Sequence, residues 1–301
     1  MSENRPATRD SLPDLPISAV TLHAVASKMR TQFERSEFIR LGLLVAAAGV
    51  SVATSVARVG GTDLVIGPAI AGMLLLSSFV LDLVTKESQP RATWLKAFQL
   101  EKRIEALAWQ YAVGGHVYSR QLPQQEVDDR FNVELVKILK ECEVPSAGIQ
   151  SLFGAQIPDS LRSSRTRDRM ERAELYIRRL REAIAELGRE MSSLERRGRH
   201  ATWTARACQA ATLILAAGQA IGMLSVSLVG LGATLTASIL AWRTVSAPLG
   251  ITREFMRVSG ELLLILNQAE KASDEQSLSA IVDKGEETLL EHVERRLALI
   301  E

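Results

Sequence analysis

Four histidines, His23, His116, His200 and His292, are the first side chains to examine for chemistry, because an imidazole binds metals and moves protons near neutral pH. They stand far apart, and the chain holds neither an HExxH pair nor the paired-cysteine spacing of a zinc site. Glu291 and His292 are adjacent, so on a helix they point to different parts of its surface and make a poor acid–base dyad. The run VGLGATL, Val229 to Leu235, lacks the third glycine of a dinucleotide fingerprint and lies within an apolar stretch rather than after a strand. There is no P-loop and no nucleophile elbow. Cys142 and Cys208 are too few for a disulfide framework and read as free structural thiols. The expectation is therefore no catalytic, metal-binding or cofactor-binding residue, and no enzyme.

Charge narrows the partners. The 301 residues carry a net charge of +1, and the basic side chains are interleaved with acids rather than gathered into a patch, which speaks against nucleic acid. The charges are also segregated along the chain: long uncharged blocks alternate with stretches dense in Arg and Glu. Residues 1–24 open with a polar, proline-containing stretch that has no apolar signal region and read as a disordered tail.

The uncharged blocks must be placed next. Ala207 to Trp242 is 36 residues without a charge. One helix of that length would reach about 54 Å, far beyond the roughly 30 Å hydrocarbon core of a bilayer. The block divides, with crossings at about 206–224 and 228–245 and a turn near Ser225–Ser227. Leu41 to Ala57 and Leu64 to Leu81 repeat the arrangement around the turn Arg58–Asp63, giving crossings at about 40–58 and 64–84. The expected fold is an all-α integral membrane protein with two tandem transmembrane helical hairpins and long cytoplasmic amphipathic helices. Basic residues such as Lys28, Arg30, Arg35 and Arg40, and Arg196, Arg197 and Arg199, flank the crossings, while the two turns hold almost none. That asymmetry predicts a membrane protein with both termini cytoplasmic and membrane lipid as its surroundings.

Of the 17 residues from Leu41 to Ala57, ten are Gly, Ala, Ser or Thr, a composition suited to close helix approach. Gly218 and Gly222 form a GxxxG pair, and Ala233, Ala237 and Ala241 continue a small-residue stripe; these are the expected helix-packing positions, within one chain or between copies in a homo-oligomer. The crossings have no ionisable centre, which argues against a coupled transporter, and Asp82 reads as an interfacial carboxylate. Gln219, Thr234 and Ser238 are the polar side chains that could line a watery path or bond between helices.

Outside the uncharged blocks, the apolar spacing is helical. Ala97, Leu100, Ile104, Leu107 and Tyr111 form one stripe. Ala173, Ile177, Leu180, Ile184, Leu187, Met191 and Leu194 form a second, and Ile251, Phe255, Val258, Leu262 and Ile265 a third. All three are seams for partner helices. Pro, Gly and Ser gather at residues 146–165, the expected linker between a first domain at 25–145 and a second at 166–301.

Three short patterns then carry a resemblance. Trp94, Phe98, Glu101, Glu105, Trp109 and Tyr111 follow the first uncharged pair. Arg172, Tyr176, Arg178, Arg179 and Leu180 precede the second, and Glu287, Glu291 and His292 lie near the end. Together with the tandem order, they resemble SLATT domains, the SMODS and SLOG-associating two-transmembrane effector domains of prokaryotes. The resemblance implies a membrane effector in conflict systems that opens pores when a nucleotide signal is sensed by an associated domain. No sensor is visible in this sequence, so a nucleotide-sensing partner protein is expected. A membrane-anchored helical scaffold that conducts nothing is the alternative.

Overall fold

Asp168 and Asp274 show how the helices begin. The Asp168 carboxylate accepts the backbone N–H of Glu171 at 3.0 Å, and Asp274 accepts that of Ser277 at 2.8 Å, so each caps the first turn of a long helix. The computed structural model describes residues 14–53, 66–88, 90–141, 157–221, 229–246 and 249–300. Its helices are α1 (Ile17–Ala53), α2 (Ile66–Ser88), α3 (Pro90–Val113), α4 (Gln124–Lys140), α5 (Asp159–Thr166), α6 (Arg169–Ala220), α7 (Val229–Ser246), α8 (Leu249–Glu270) and α9 (Glu275–Ile300), with a 3-10 turn at His116–Tyr118. The expectation of an all-helical chain holds among the described residues.

The chain divides into two compact units that are discontinuous in sequence: residues 1–27, 93–191 and 250–301 form the first, and 28–92 with 192–249 the second. Helices α1 and α6 each contribute to both.

In the first unit the seams are buried as their spacing predicts. Ala97, Leu100, Ile104, Leu107 and Tyr111 of α3 are all buried, as are Ile251, Phe255, Val258, Leu262 and Ile265 of α8. On α6 the buried stripe is rotated from the expected one. It runs through Arg172, Ala173, Tyr176, Leu180, Ala183 and Leu187, leaving Ile177 and Ile184 half-buried. The aromatic centre joins Tyr111 to Phe131 of α4 edge-to-face at 5.0 Å and to Tyr118 at 5.9 Å. Each ring of this kind removes enough apolar surface from water to stabilise the fold by about 1.5–3 kcal/mol.

The second unit is built differently. Its buried side chains are mostly small, among them Ala47, Ala71, Ser78, Ala205 and Thr236. Helices α6 and α7 meet at Gly232, where a Cβ would lie 2.0 Å from the Thr212 hydroxyl oxygen, so only glycine permits the approach.

Among the described residues, no helix is long and apolar enough to cross a membrane. This corrects the expectation of an integral membrane fold with four crossings. Absence of charge is not the same as apolarity, because the uncharged runs owe much of their length to Gly, Ala, Ser and Thr. Nor does each run form a helix of its own. Leu41–Ala53 is the end of a helix whose earlier turns are charged, and 207–220 is the end of the 52-residue α6. Helix α2 carries Asp82, Lys86 and Glu87 in its last turns. The turns expected at Arg58–Asp63 and Ser225–Ser227, together with Gly222 and Cys142, lie outside the described residues, as do residues 1–13 of the tail and 146–156 of the linker.

A buried ionic junction as the candidate functional site

Helix α3 sets Glu101, Glu105 and Trp109 four residues apart, so all three share one face. Helix α6 places Arg172, Tyr176 and Arg179 at intervals of four and three, again along one face. The two faces meet inside the first unit. Arg179 Nη2 lies 2.7 Å from Glu105 Oε1, and the same guanidinium sits over the Trp109 ring at 5.5 Å. Lys102 Nζ reaches the other Glu105 oxygen, also at 2.7 Å. Burial alone would raise the Glu105 carboxyl, but Arg179 and Lys102 outweigh it and hold it at about 2. Glu105 is a fixed anion.

Glu101 contrasts with it. His23 Nδ1 is 3.0 Å away and Lys102 3.9 Å, yet burial prevails and raises its carboxyl above the ordinary range; one of its oxygens has no hydrogen-bond partner.

Arg172 and Tyr176 anchor the same face. Arg172 is 1% exposed and donates to the carbonyls of Val113 and Arg167 and to the Glu275 carboxylate. The Val113 carbonyl is available because α3 ends there: Gly114 has a φ of +91°, and Gly115 N–H returns to Gln110 O at 2.8 Å. Tyr176 is fully buried, and its hydroxyl donates to the Val282 carbonyl of α9 at 3.2 Å. A Cβ at Gly285 would lie 2.0 Å from that hydroxyl, so this glycine lets the ring rest on the α9 backbone.

Helix α9 supplies the residue that spacing alone did not single out. Glu286 is 1% exposed and faces Arg179, Glu105, Tyr176 and Lys102. Burial pushes its carboxyl up to about 7 against the pull of Arg179. Its neighbour Glu287, named from the sequence pattern, is exposed, and so is Glu291, which pairs with Arg295. The signal for Glu286 was its place four residues after the buried Val282 and seven before the buried Val293.

His292 is buried against the Phe255 ring at 5.2 Å, and neither ring nitrogen has a hydrogen-bond partner. Burial, reinforced by Arg296, pushes it down to about 4. It is a neutral core histidine. Trp94 packs with Phe98 against Leu95, Val293 and Leu297. The junction thus gathers Glu101, Glu105, Trp109, Arg172, Tyr176 and Arg179, with Glu287 and Glu291 outside it.

Family comparison covers both helices of this junction. The profile of SMODS and SLOG-associating 2TM effector domain 3 matches residues 21–173, more than half of the chain, and that of domain 1 matches residues 176–294. The chain belongs to the SLATT family. Its architecture is a tandem of two SLATT domains, and such domains are associated with conflict and defence effector systems. The family description, a two-transmembrane effector domain, points to membrane association. No curated protein and no solved structure matches the chain. The two matches meet inside α6, between Ala173 and Tyr176, so the Glu105–Arg179 pair joins one SLATT domain to the other.

The remaining sequence-named positions lie in the second unit. Thr234, Ala237 and Ser238 of α7 line a groove of about 520 Å³ with Leu41, Leu44, Ala47 and Ala48 of α1 and Ala71 and Leu75 of α2. Ala233 is exposed, and Gly218 is half-buried. Gln219 and Ala241 are helical, but their side chains lie outside the described set. Among the described residues, no group of His, Cys, Asp and Glu could hold a metal ion.

Proposed function

We propose that this tandem SLATT chain is an oligomeric effector of a prokaryotic defence system that permeabilises the bacterial inner membrane. In this reading a nucleotide-sensing partner protein acts on the first unit, and the second unit forms the pore with other copies. The supporting observation is the surface of the second unit. Met73, Leu76 and Phe79 of α2 and Leu213 and Ile214 of α6 are each more than half exposed. Exposed apolar area on this scale marks an interaction surface, here lipid and neighbouring copies. Lys28, Arg30, Arg35 and Arg40 on α1 suit the anionic cytoplasmic leaflet. The reading is non-enzymatic: the buried carboxylates Glu101 and Glu105 are engaged in helix pairing within a closed core.

A partner can drive such a change only by binding the two states unequally, and a shift from 1:99 to 99:1 needs about 5.5 kcal/mol. The resting protein is accordingly closed. The test measures membrane potential and dye entry in cells expressing the chain with its candidate partner, before and after activation, and repeats this with Thr234→Leu, which fills the polar side of the groove. Depolarisation that Thr234→Leu abolishes supports the pore. A polarised membrane in activated cells, with the protein recovered in the membrane fraction, overturns it in favour of a non-conducting helical scaffold.

A further inference from the structure

We propose that one exposed face of α6, from Arg196 to Ile221, docks on an anionic phospholipid surface. Its arginines meet the phosphates, Trp203 lies at headgroup level, and the aliphatic side chains beyond it enter the acyl region. The inference rests on the membrane-associated reading above and names the contact and the lipid class. Arg196, Arg199, Trp203, Arg206, Ala210 and Leu213 recur at intervals of three and four, so they share one helical face, and all are exposed. The order along that face is the first observation. Arginines come first with Trp203, 70% exposed, among them; Leu213, Ile214 and Ile221 follow at 71%, 72% and 69% exposed. Basic, then aromatic, then aliphatic is the sequence of environments met on entering a bilayer from water. Arg206 stands one turn past Trp203, but helical side chains lean toward the N-terminus, so its long stem can return the guanidinium to the tryptophan's level. The charge-free part of the face, Ala207 to Ile221, is about 22 Å long, short of the roughly 30 Å hydrocarbon core. It can enter one side of a bilayer without crossing.

Charge is the second observation. Among the described residues, Arg199 and Arg206 form neither a salt bridge nor a side-chain hydrogen bond, and Arg196 donates to the Ser192 carbonyl at 3.2 Å. Earlier on the same helix, exposed arginines are answered by acids: Arg178 by Glu174 and Arg181 by Glu270. On α1, Arg30 pairs with Glu34 and Arg40 with Glu37. No acidic residue occurs from Arg196 to Ile221, so the charge of this face is complementary to an anion from outside the chain. Nucleic acid would satisfy the arginines and leave Leu213, Ile214 and Ile221 in water. An anionic lipid surface meets both parts.

The test uses the full chain and vesicles of phosphatidylcholine, with or without phosphatidylglycerol, with binding read by flotation. Phosphatidylglycerol is expected to strengthen binding. Each basic residue beside an anionic surface is worth about fivefold, so replacing Arg196, Arg199 and Arg206 together by Gln should weaken binding to these vesicles about a hundredfold. Arg197→Gln, turned away from this face, should cost less than any one of the three. Brominated acyl chains then locate Trp203: the quenching that disappears in Trp203→Phe should be greater for bromine near the headgroup than near the chain end. Flotation indifferent both to phosphatidylglycerol and to the three arginines would overturn the docking face and leave membrane association standing. So would the absence of any quenching assigned to Trp203. Failure to float with either vesicle would overturn both readings. Binding of duplex DNA that the triple variant abolishes, without preference for phosphatidylglycerol, would give the face to nucleic acid instead.

Discussion

Arg179 of α6 and Glu105 of α3, 2.7 Å apart, lie in different SLATT domains, so the tandem domains share one ionic core. Both side chains are nearly enclosed, and removing one partner strands the other. Arg179→Ala is expected to cost about 3–5 kcal/mol, whereas Arg179→Met with Glu105→Leu recovers most of that loss. Urea unfolding followed by circular dichroism checks both, and a double variant no better than Arg179→Ala would contradict the pairing.

Gly285 and Tyr176 form a second, steric link. A methyl group at 285 would overlap the Tyr176 hydroxyl and press on ring carbon Cζ at 3.1 Å. Gly285→Ala should destabilise by about 1–3 kcal/mol. Adding Tyr176→Phe removes the worst overlap, so the pair should cost less than the sum of the single changes. Additivity in a double-mutant cycle would show that the contact is not the cause.

His292 makes acid stability specific. Its folded value, about 4, lies below the ordinary 6.5, so its contribution is present above pH 6.5 and is lost as pH falls toward 4. A shift of that size amounts to about 3 kcal/mol at most. His292→Leu should be close to neutral at pH 7, since neither ring nitrogen is bonded, and should flatten the decline between about pH 6.5 and about pH 4. Unfolding midpoints at several pH values test this, and an undiminished decline in the variant would place the titrating group elsewhere.

Gly232 and Ala233 separate packing from composition in the second unit. Gly232→Leu should force α7 away from Thr212, while Ala233→Leu points to the exposed side and should be tolerated. Limited proteolysis of the two variants compares them, with Gly232→Leu expected to be cut faster. Equal protection would mean that the close approach does not hold the unit together.

What the sequence by itself determined is what a single helix can state. The stripes from Ala97 to Tyr111 and from Ile251 to Ile265 are buried as their spacing requires, because periodicity and burial are properties of one helical face. The short motifs carried the family for the same reason: Glu101, Glu105, Trp109, Arg172, Tyr176 and Arg179 repeat at helical intervals. Spacing from Val282 and Val293 puts Glu286 on the buried face of α9, but only the tertiary structure sets it beside Arg179 and Glu105. Glu286 and Glu287 are chemically alike, and the packed α9, which Gly285 lets approach Tyr176 closely, buries the first and leaves the second exposed. Tertiary structure also decided the fate of the uncharged runs. Whether a run can cross a membrane depends on where its helix starts and stops and on how much of it is Ala, Gly, Ser and Thr, and charge counting sees neither. The meeting of Glu105 with Arg179 was likewise invisible in one dimension, since it requires two distant helices to present their faces to each other.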